Sequence, residues 1–320
     1  MRVLIVANKR KAPVVAALER IVPAIERAGQ IVGVDVDDQT EPITADANVI
    51  LVLGGDGTLL SAARRLRGRQ IPLLGVNFGR LGFLASFTPK QFDQHFEAFI
   101  ARKLPITPRE VLEVSVLPAQ TKCRFSDVVE VSSRRRFVST ALNDAVITAG
   151  PPFHMIELEI AANGQDPEDD TAWAGIRYFG DGVIVSTSSG STAYNVSAGG
   201  PIISPNVEAL CVTPVCPHSL SFRPVVISSR STVLVTAILV NEGTTIFCDG
   251  QESTRLVAGE RAVIRRSPEP VLLVENPESQ EWHTLAAKLN WAANPAYTTP
   301  LQGRKLEIRN SNDESNSKSE

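Results

Sequence analysis

A glycine-rich turn with an acidic residue at its centre is the part of the sequence that most directly suggests chemistry. It follows an apolar run at residues 49–53 and precedes a segment with apolar residues at helical spacing, so it should join a buried strand to a helix. Such a turn presents free backbone N–H groups and the positive end of the helix dipole, which favours phosphate binding. Glycines let the backbone approach the phosphate closely. The turn consists of Gly54, Gly55, Asp56, Gly57 and Thr58.

The aspartate in this turn needs a chemical reason, because a carboxylate repels phosphate. Asp56 could bind Mg²⁺, or it could accept the proton of an attacking hydroxyl. Either role predicts phosphoryl transfer. The alternative is a tight strand-to-helix turn with an exposed aspartate. The turn is not a Walker A loop, because no G-K-[ST] follows, and it is not the G-x-G-x-x-G of dinucleotide oxidoreductases.

Further polar segments follow apolar runs downstream of this turn. Asn143 and Asp144 together could hydrogen-bond an adenine edge and vicinal ribose hydroxyls, and a plain strand-end turn is the alternative. Residues 186–194 are rich in small hydroxylated side chains, and the ring of Tyr194 could stack on a flat ligand; a polar loop is the alternative. His218 could reach a pyrophosphate or be a structural histidine. Residues 249–251, with the sequence DGQ, predict a hairpin turn.

These segments together resemble the NAD kinase family over residues 54–251. The glycine-rich turn is similar to one shared by NAD kinases, diacylglycerol and sphingosine kinases and 6-phosphofructokinases. Residues 75–85, 141–147, 181–194, 212–224 and 249–251 resemble elements of NAD kinases. Two departures stand out. Ser188 and Ser189 replace the family's Pro-Thr, which is expected to loosen that turn, and Gly180 replaces the usual alanine.

The resemblance implies Mg²⁺-dependent transfer of a terminal phosphoryl group, from ATP or polyphosphate, to the 2′-hydroxyl of the adenosine ribose of NAD, giving NADP. Asp56 would be the catalytic residue and a possible metal ligand, and the rest of the turn would cradle the donor. Asp181 would lie on the nicotinamide side. The residues expected to bind NAD are Asn143, Asp144, Asp181, Thr192, Ala193, Tyr194 and Ser197. Near-site residues without a defined role are Asn77, Phe78, His218, Asp249 and Gln251.

Two rival functions are compatible with parts of the sequence. A lipid kinase of the diacylglycerol type shares the glycine-rich turn, but it gives no reason for residues 181–194. A non-catalytic NAD or NADP sensor would be expected to lack the acid in the phosphate turn, and Asp56 is present.

The predicted strands and helices that must position these residues indicate two domains. Residues 1–108 alternate β-branched runs, at 3–7, 31–36, 49–53 and 73–76, with amphipathic stretches, which is typical of a Rossmann-like parallel sheet covered by helices. A capping-box pattern predicts a helix from residue 88 to about 102. Residues 109–275 favour a β-rich, sandwich-like domain, with runs that include 225–227, 233–238, 262–264 and 271–274. In residues 276–302, a helix over 281–291 is expected to return to the first domain, and the polar tail 303–320 is expected to be disordered.

Composition narrows the class of protein. The chain has 320 residues, of which 43% are hydrophobic and 21% charged, as in ordinary globular proteins. Its apolar runs are too short for a membrane helix or a signal sequence, so a cytoplasmic protein is expected. A net charge of -3 gives no electrostatic reason to expect nucleic-acid binding. Four cysteines without a C-x-x-C pair argue against zinc. The family resemblance implies a homodimer or homotetramer.

Overall fold

The computed structural model of the chain describes residues 1–36, 41–79, 82–119, 134–162 and 175–289. The expected disordered tail at 303–320, the end of the predicted C-terminal helix and most of the loops at 118–135 and 165–172 lie outside the described residues. None of the described helices is both long enough and apolar enough to cross a membrane.

Strands dominate the described residues, and each strand predicted in the first hundred residues is present to within one residue at either end. They are, in chain order, β1 (Arg2–Ala7), β2 (Gln30–Val36), β3 (Val49–Gly54), β4 (Leu73–Asn77), β5 (Ile106–Arg109), β6 (Leu112–Leu117), β7 (Phe137–Ala141), β8 (Asp144–Thr148), β9 (Ile156–Ala162), β10 (Ile176–Gly180), β11 (Gly182–Thr187), β12 (Ala209–Val215), β13 (Val225–Ser228), β14 (Val233–Leu239), β15 (Thr245–Cys248), β16 (Glu252–Arg255), β17 (Arg261–Arg266) and β18 (Val271–Val274).

Helices are fewer, and the long ones occur where apolar residues recur at helical spacing. They are α1 (Ala12–Ala28), α2 (Asp56–Arg65), α3 (Pro89–Gln94), α4 (Phe96–Ile100), a 3-10 turn (Ser189–Thr192), α5 (Tyr194–Ser197) and α6 (Glu281–Leu289). The capping box is confirmed, since Thr88 and Gln91 exchange hydrogen bonds of 3.0 and 3.3 Å. The single helix predicted from residue 88 to 102 is wrong in one respect, because it breaks at His95, whose ring contacts Glu278 at 3.2 Å. The helix therefore breaks at a residue that contacts a side chain far along the chain, and the local sequence pattern does not show this break.

A mixed six-stranded sheet, in the order β2-β1-β3-β4-β18-β5, forms the Rossmann-like part. Strands β1 to β4 pair in parallel. Helix α1 packs on one face of β3 through Leu51 and Leu53, and α2 packs on the other through Ile50 and Val52. Both faces are covered, which explains why β3 is apolar along its whole length.

Strand β18 lies in this first sheet, although the sequence suggested that residues 271–274 belong to the β-rich region. It pairs in parallel with β4 and antiparallel with β5. A buried strand of four apolar residues carries no local information about which sheet it joins, so only the tertiary fold decides its place.

Two antiparallel six-stranded sheets form the β-rich part, in the orders β10-β9-β14-β17-β6-β7 and β13-β12-β11-β8-β15-β16. One shared core joins them, with residues from both inner faces such as Val114, Val235, Ile147 and Val185. This is the sandwich-like arrangement that the period-two alternation predicted.

Residues Met1–Ser279 form one compact unit, and Gln280–Glu320 form a second unit. Within the second unit, a helix is confirmed at Glu281–Leu289. Its expected return to the first domain stays a prediction, as does the division of residues 1–275 at residue 108.

Candidate functional site

The glycine-rich turn lies where the strand order of the parallel sheet reverses. Strand β1 leads through α1 to β2 on one side, whereas β3 leads through α2 to β4 on the other. The carboxyl ends of β1 and β3 therefore border a crevice, the usual ligand site of open α/β sheets. The loops after the two strands meet there, since the Asn8 N–H donates to the Leu53 carbonyl at 3.0 Å.

Two glycines of the turn, Gly54 and Gly57, differ in the space that surrounds them. A Cβ on Gly54 would lie 2.3 Å from Thr58 Oγ1, so glycine is needed there for the turn to close on the helix. A Cβ on Gly57 would meet nothing within 4 Å. The space beside Gly57 is open, as expected for a backbone that a ligand approaches.

Asp56, the proposed catalytic residue, is held by the segment after β4. Its carboxylate accepts the N–H groups of Phe83 and Ala85, at 2.8 and 2.9 Å. A Cβ on Gly82 would lie 1.7 Å from Asp56 Oδ1, so only glycine fits beside this carboxylate. The element at residues 75–85 thus fixes the acid in one orientation and leaves each of its oxygens a further lone pair.

Asn77 and Phe78, both expected near the site, lie beside the turn. Asn77 Oδ1 accepts the Gly79 N–H at 2.9 Å. The Phe78 N–H donates to the Gly54 carbonyl at 3.0 Å. These bonds shape the wall of the crevice.

The hairpin turn at residues 249–251 is confirmed. Asp249 and Gly250 both have positive φ, 51° and 64°, and the Gln251 N–H donates to the Cys248 carbonyl at 3.0 Å. Asp-Gly suits such a turn because both residues tolerate the left-handed region. Gln251 Nε2 donates to the Gly57 carbonyl at 2.8 Å. The hairpin therefore joins the β-rich part to the glycine-rich turn.

Asp249 organises the segment that carries the expected nucleotide-binding pair. Its carboxylate accepts the N–H groups of Leu142, Asn143 and Asp144 at 2.8, 2.7 and 3.2 Å. Its own N–H donates to the Asp144 carbonyl at 2.9 Å. Burial raises the pKa of Asp249, and these donors oppose the rise. Sequence reasoning gave Asp249 no role, and the structure shows that it shapes the turn at 142–144.

Asp144 is buried next to this second carboxyl group. Only 5% of the residue is exposed. Burial, and then the charge of Asp249, raise the pKa of Asp144 to about 7, while the Tyr194 backbone N–H opposes the rise. Because Asp249 accepts three backbone N–H groups, we assign the proton of the pair to Asp144. Asp144 therefore changes its charge near neutral pH.

A cavity of about 480 Å³ opens beside this pair, a size in the range of small-molecule sites. Val146 and Thr148 lie on the same strand as Asp144, so the cavity extends along β8. Thr148 is paired with Gly182, which follows Asp181. Asp181 thus lies at the opposite end of β8 from Asp144. The lining residues are Asn143, Asp144, Val146, Thr148, Ala193, Tyr194, Phe247, Asp249 and Gly250.

The hydroxyl-rich segment is attached to the same turn. Thr187 Oγ1 donates to the Leu142 carbonyl at 2.7 Å, and the Thr187 N–H donates to the Asn143 carbonyl at 2.9 Å. A Cβ on Gly190 would lie 2.0 Å from the Asn143 carbonyl oxygen, so glycine allows the two segments to touch. Tyr194 is 49% exposed at the cavity, which leaves its ring free to stack.

The expectation that Ser188 and Ser189 loosen this turn stays a prediction, and the structure shows how Ser188 is held. Ser188 is buried, and its hydroxyl is bonded to the carbonyls of Val207 and Ala209, the latter at 3.1 Å. These hydrogen bonds attach the turn to residues 207–209, where a proline would instead restrict the backbone itself. The glycine at 180 also has a local reason, because a Cβ there would lie 3.0 Å from the Val215 carbonyl oxygen.

Several expected site residues, Asp181 among them, do not line this cavity. Thr192 is half-buried, and its hydroxyl donates to the Ser189 carbonyl at 3.4 Å. Ser197 is exposed at the end of α5. His218 is exposed, and its backbone N–H donates to the Phe179 carbonyl at 2.8 Å. Their contacts with a ligand stay predictions.

Phe247 and Lys11 are among the residues near the site that sequence reasoning missed. Phe247 lines the cavity, and its alternation with the buried Ile246 and Cys248 was the available signal. Lys11 lies in the crevice, with Nζ 3.4 Å from the Gly54 carbonyl oxygen. No local pattern distinguishes Lys11 from the neighbouring Lys9.

Comparisons with known proteins point to one family. A family model described as the ATP-NAD kinase N-terminal domain matches residues 3–104, and one described as the ATP-NAD kinase C-terminal domain matches residues 142–276. An NAD kinase of Rhodopirellula baltica is 31% identical over 291 residues, covering 91% of this chain and 87% of the relative. An NAD kinase of Gemmatimonas aurantiaca is 36% identical over 261 residues, covering 80% and 83%.

Two solved structures are similar over most of the chain. The crystal structure of an NAD kinase from Archaeoglobus fulgidus in complex with ATP has a TM-score of 0.66 at 26% identity, covering 87% of this chain and 94% of that one. The crystal structure of yeast NADH kinase complexed with NADH has a TM-score of 0.77 and covers 92% and 89%. At 21% identity, the second likeness shows the fold alone.

Proposed function

This chain belongs to the NAD kinase family, and on that premise we propose how its residues convert NAD to NADP. The central observation is the placement of Asp56. Its carboxylate is fixed at the start of α2 by the Phe83 and Ala85 N–H groups. The Gln251 side chain joins the same turn to the hairpin that shapes the cavity. An acid, a phosphate cradle and a nucleotide-sized cavity are thereby brought together.

Asp56 orients the 2′-hydroxyl of the adenosine ribose and accepts its proton. The hydroxyl oxygen then bonds to the terminal phosphorus of the donor. The bond from that phosphorus to the bridging oxygen breaks, and ADP leaves with the electron pair. Catalysis of this kind depends mainly on positioning and on charge stabilisation. The glycine-rich turn supplies backbone donors, and the dipole of α2 favours the phosphate charge.

NAD occupies the cavity along β8. Asn143 and Asp144 take the adenosine end, where the carboxyl group of Asp144 forms hydrogen bonds with ribose hydroxyls. Tyr194 stacks on a ring, consistent with its exposed face. Asp181 serves the nicotinamide side, since Thr148, which lines the far part of the cavity, is paired with the neighbouring Gly182.

A divalent metal enters as part of the donor. The described residues contain no group of three or more His, Cys, Asp or Glu side chains suited to a metal, although each Asp56 oxygen keeps a lone pair beyond its one backbone hydrogen bond. These residues do not fit a resident metal cage. Mg²⁺ is commonly held by one or two carboxylates together with substrate phosphates. We therefore assign it to a magnesium–triphosphate substrate.

ATP is the donor we propose first, because the similar Archaeoglobus structure is a complex with ATP. Polyphosphate is the alternative donor to assay. We also propose a cytoplasmic homodimer or homotetramer. The cysteines of the described residues, Cys211, Cys216 and Cys248, are free thiols, which suits a reducing compartment.

The test is NADP formation from NAD, ATP and Mg²⁺ by the purified chain and by Asp56→Asn. Losing the proton acceptor should lower turnover at least roughly 100-fold, while NAD binding measured by calorimetry stays close to that of the wild type. Asp46→Asn is the matched control, because Asp46 is an exposed aspartate that pairs with Arg2. Near-normal turnover of Asp56→Asn would exclude the proposed role, and a wild-type protein that makes no NADP would exclude the function.

A further inference from the structure

Lys11 lies in the crevice between β1 and β3 with its charge directed at the glycine-rich turn. Its Nζ is 3.4 Å from the Gly54 carbonyl oxygen, 3.3 Å from the place of a Cβ on Gly55 and 3.8 Å from that on Gly79. The ammonium group therefore borders both the turn after β3 and the segment after β4.

The main chain of Lys11 is fixed in place. The Lys11 N–H donates to the Asn8 carbonyl at 3.2 Å, and the Lys11 carbonyl accepts the Val14 N–H at 2.9 Å at the start of α1. Lys11 is half-buried, whereas Lys9 on the same loop is exposed. The fold thus selects one of two nearby lysines and brings it into the crevice.

The charge of Lys11 is not balanced by a carboxylate within the part of the chain that the structure describes. Its one hydrogen bond there is the long contact with the Gly54 carbonyl. Holding a flexible lysine side chain near one geometry costs conformational entropy. A half-buried ammonium group beside the glycine-rich turn, in which the space beside Gly57 is open, is complementary to an anion.

We propose that Lys11 binds the donor's phosphate chain and neutralises the charge that develops on the leaving oxygen. This inference rests on the proposed function and adds a catalytic residue to it. The backbone donors of the turn and the ammonium group hold the phosphates together. When the bond from the terminal phosphorus to the bridging oxygen breaks, the electron pair stays on that oxygen, and Lys11 stabilises the charge there. The acceptor NAD is held elsewhere, by the cavity along β8.

The experiment compares the wild type with Lys11→Ala, Lys11→Arg and the loop control Lys9→Ala. The donor is varied at saturating NAD, and NAD is varied at saturating donor. Lys11→Ala should lower kcat/KM for ATP by roughly 10- to 100-fold, the usual loss for a charged hydrogen bond. The KM for NAD should change less than about twofold. Lys11→Arg should recover most of the loss, because the charge remains, and Lys9→Ala should match the wild type.

A binding measurement keeps this inference separate from the function. Inorganic tripolyphosphate should bind the wild type in calorimetry and bind Lys11→Ala at least roughly 10-fold more weakly. If Lys11→Ala keeps the wild-type kcat/KM for ATP, or if only its KM for NAD rises, the inference is overturned. If tripolyphosphate binding depends on Lys11 but the wild type makes no NADP, the anion site stands and the proposed function fails.

Discussion

Replacing Asp144 with asparagine should stabilise the protein more at high pH than at low pH. Asp144 is buried beside Asp249, and burial, with the second carboxylate, raises the pKa of Asp144 from 3.8 to about 7. A raised pKa means that the folded state binds the proton more tightly than the unfolded state. The stability that this group contributes is fully present below about pH 4 and is lost as the pH rises through about 7.

The size of the effect follows from the two pKa values. At pH 5 the folded protein holds Asp144 protonated at no ionisation cost, whereas at pH 8 it must bury a charge. Integration between pKa values of 3.8 and about 7 gives a loss of about 2 to 3 kcal/mol in unfolding free energy from pH 5 to pH 8. Relaxation of the open cavity will reduce this, so we expect about 1 to 3 kcal/mol.

Urea unfolding of the wild type and of Asp144→Asn, at pH 5 and at pH 8, measures this difference. The variant's advantage over the wild type should be larger at pH 8, with unchanged denaturant slopes. Glu242→Gln serves as the control for general charge effects, because the Glu242 side chain is 88% exposed. Equal differences between wild type and Asp144→Asn at both pH values would refute the reasoning about the buried pair.

Two further predictions concern the residues that hold the site in shape. Gly82→Ala should displace the Asp56 carboxylate, because a Cβ would lie 1.7 Å from its Oδ1. Its turnover should fall roughly 100-fold, and its melting temperature should fall as well. Gly57→Ala should keep the wild-type melting temperature, because a Cβ there would meet nothing within 4 Å. Equal melting temperatures for the two variants would contradict the predicted clash. Asp249→Asn removes a charged acceptor from three N–H groups, so the KM for NAD should rise roughly 10-fold with little change in kcat. A fall in kcat alone would show that Asp249 acts on the chemistry rather than on the shape of the NAD site.

Local patterns in the sequence carried much of the fold. Strand β3 could be recognised because a strand covered by helices on both faces must be apolar throughout. The capping box at Thr88 and the Asp-Gly hairpin at residue 249 could be recognised because each is a set of hydrogen bonds within four residues. The break at His95 was missed because no local pattern marks it; the contact that accompanies it is with Glu278, which lies 183 residues away.

The sequence by itself determined the glycine-rich turn between a strand and a helix, the acid within it and the two kinds of sheet, since residue type and spacing report backbone geometry over a few residues. Only the tertiary structure decided that β18 joins the first sheet, that Asp249 shapes the turn at residues 142–144 and that Lys11 faces Gly54. These contacts join residues more than 40 positions apart, and no local period encodes which distant segments meet. They arise when three sheets bury their apolar faces and bring the polar ends of their strands together.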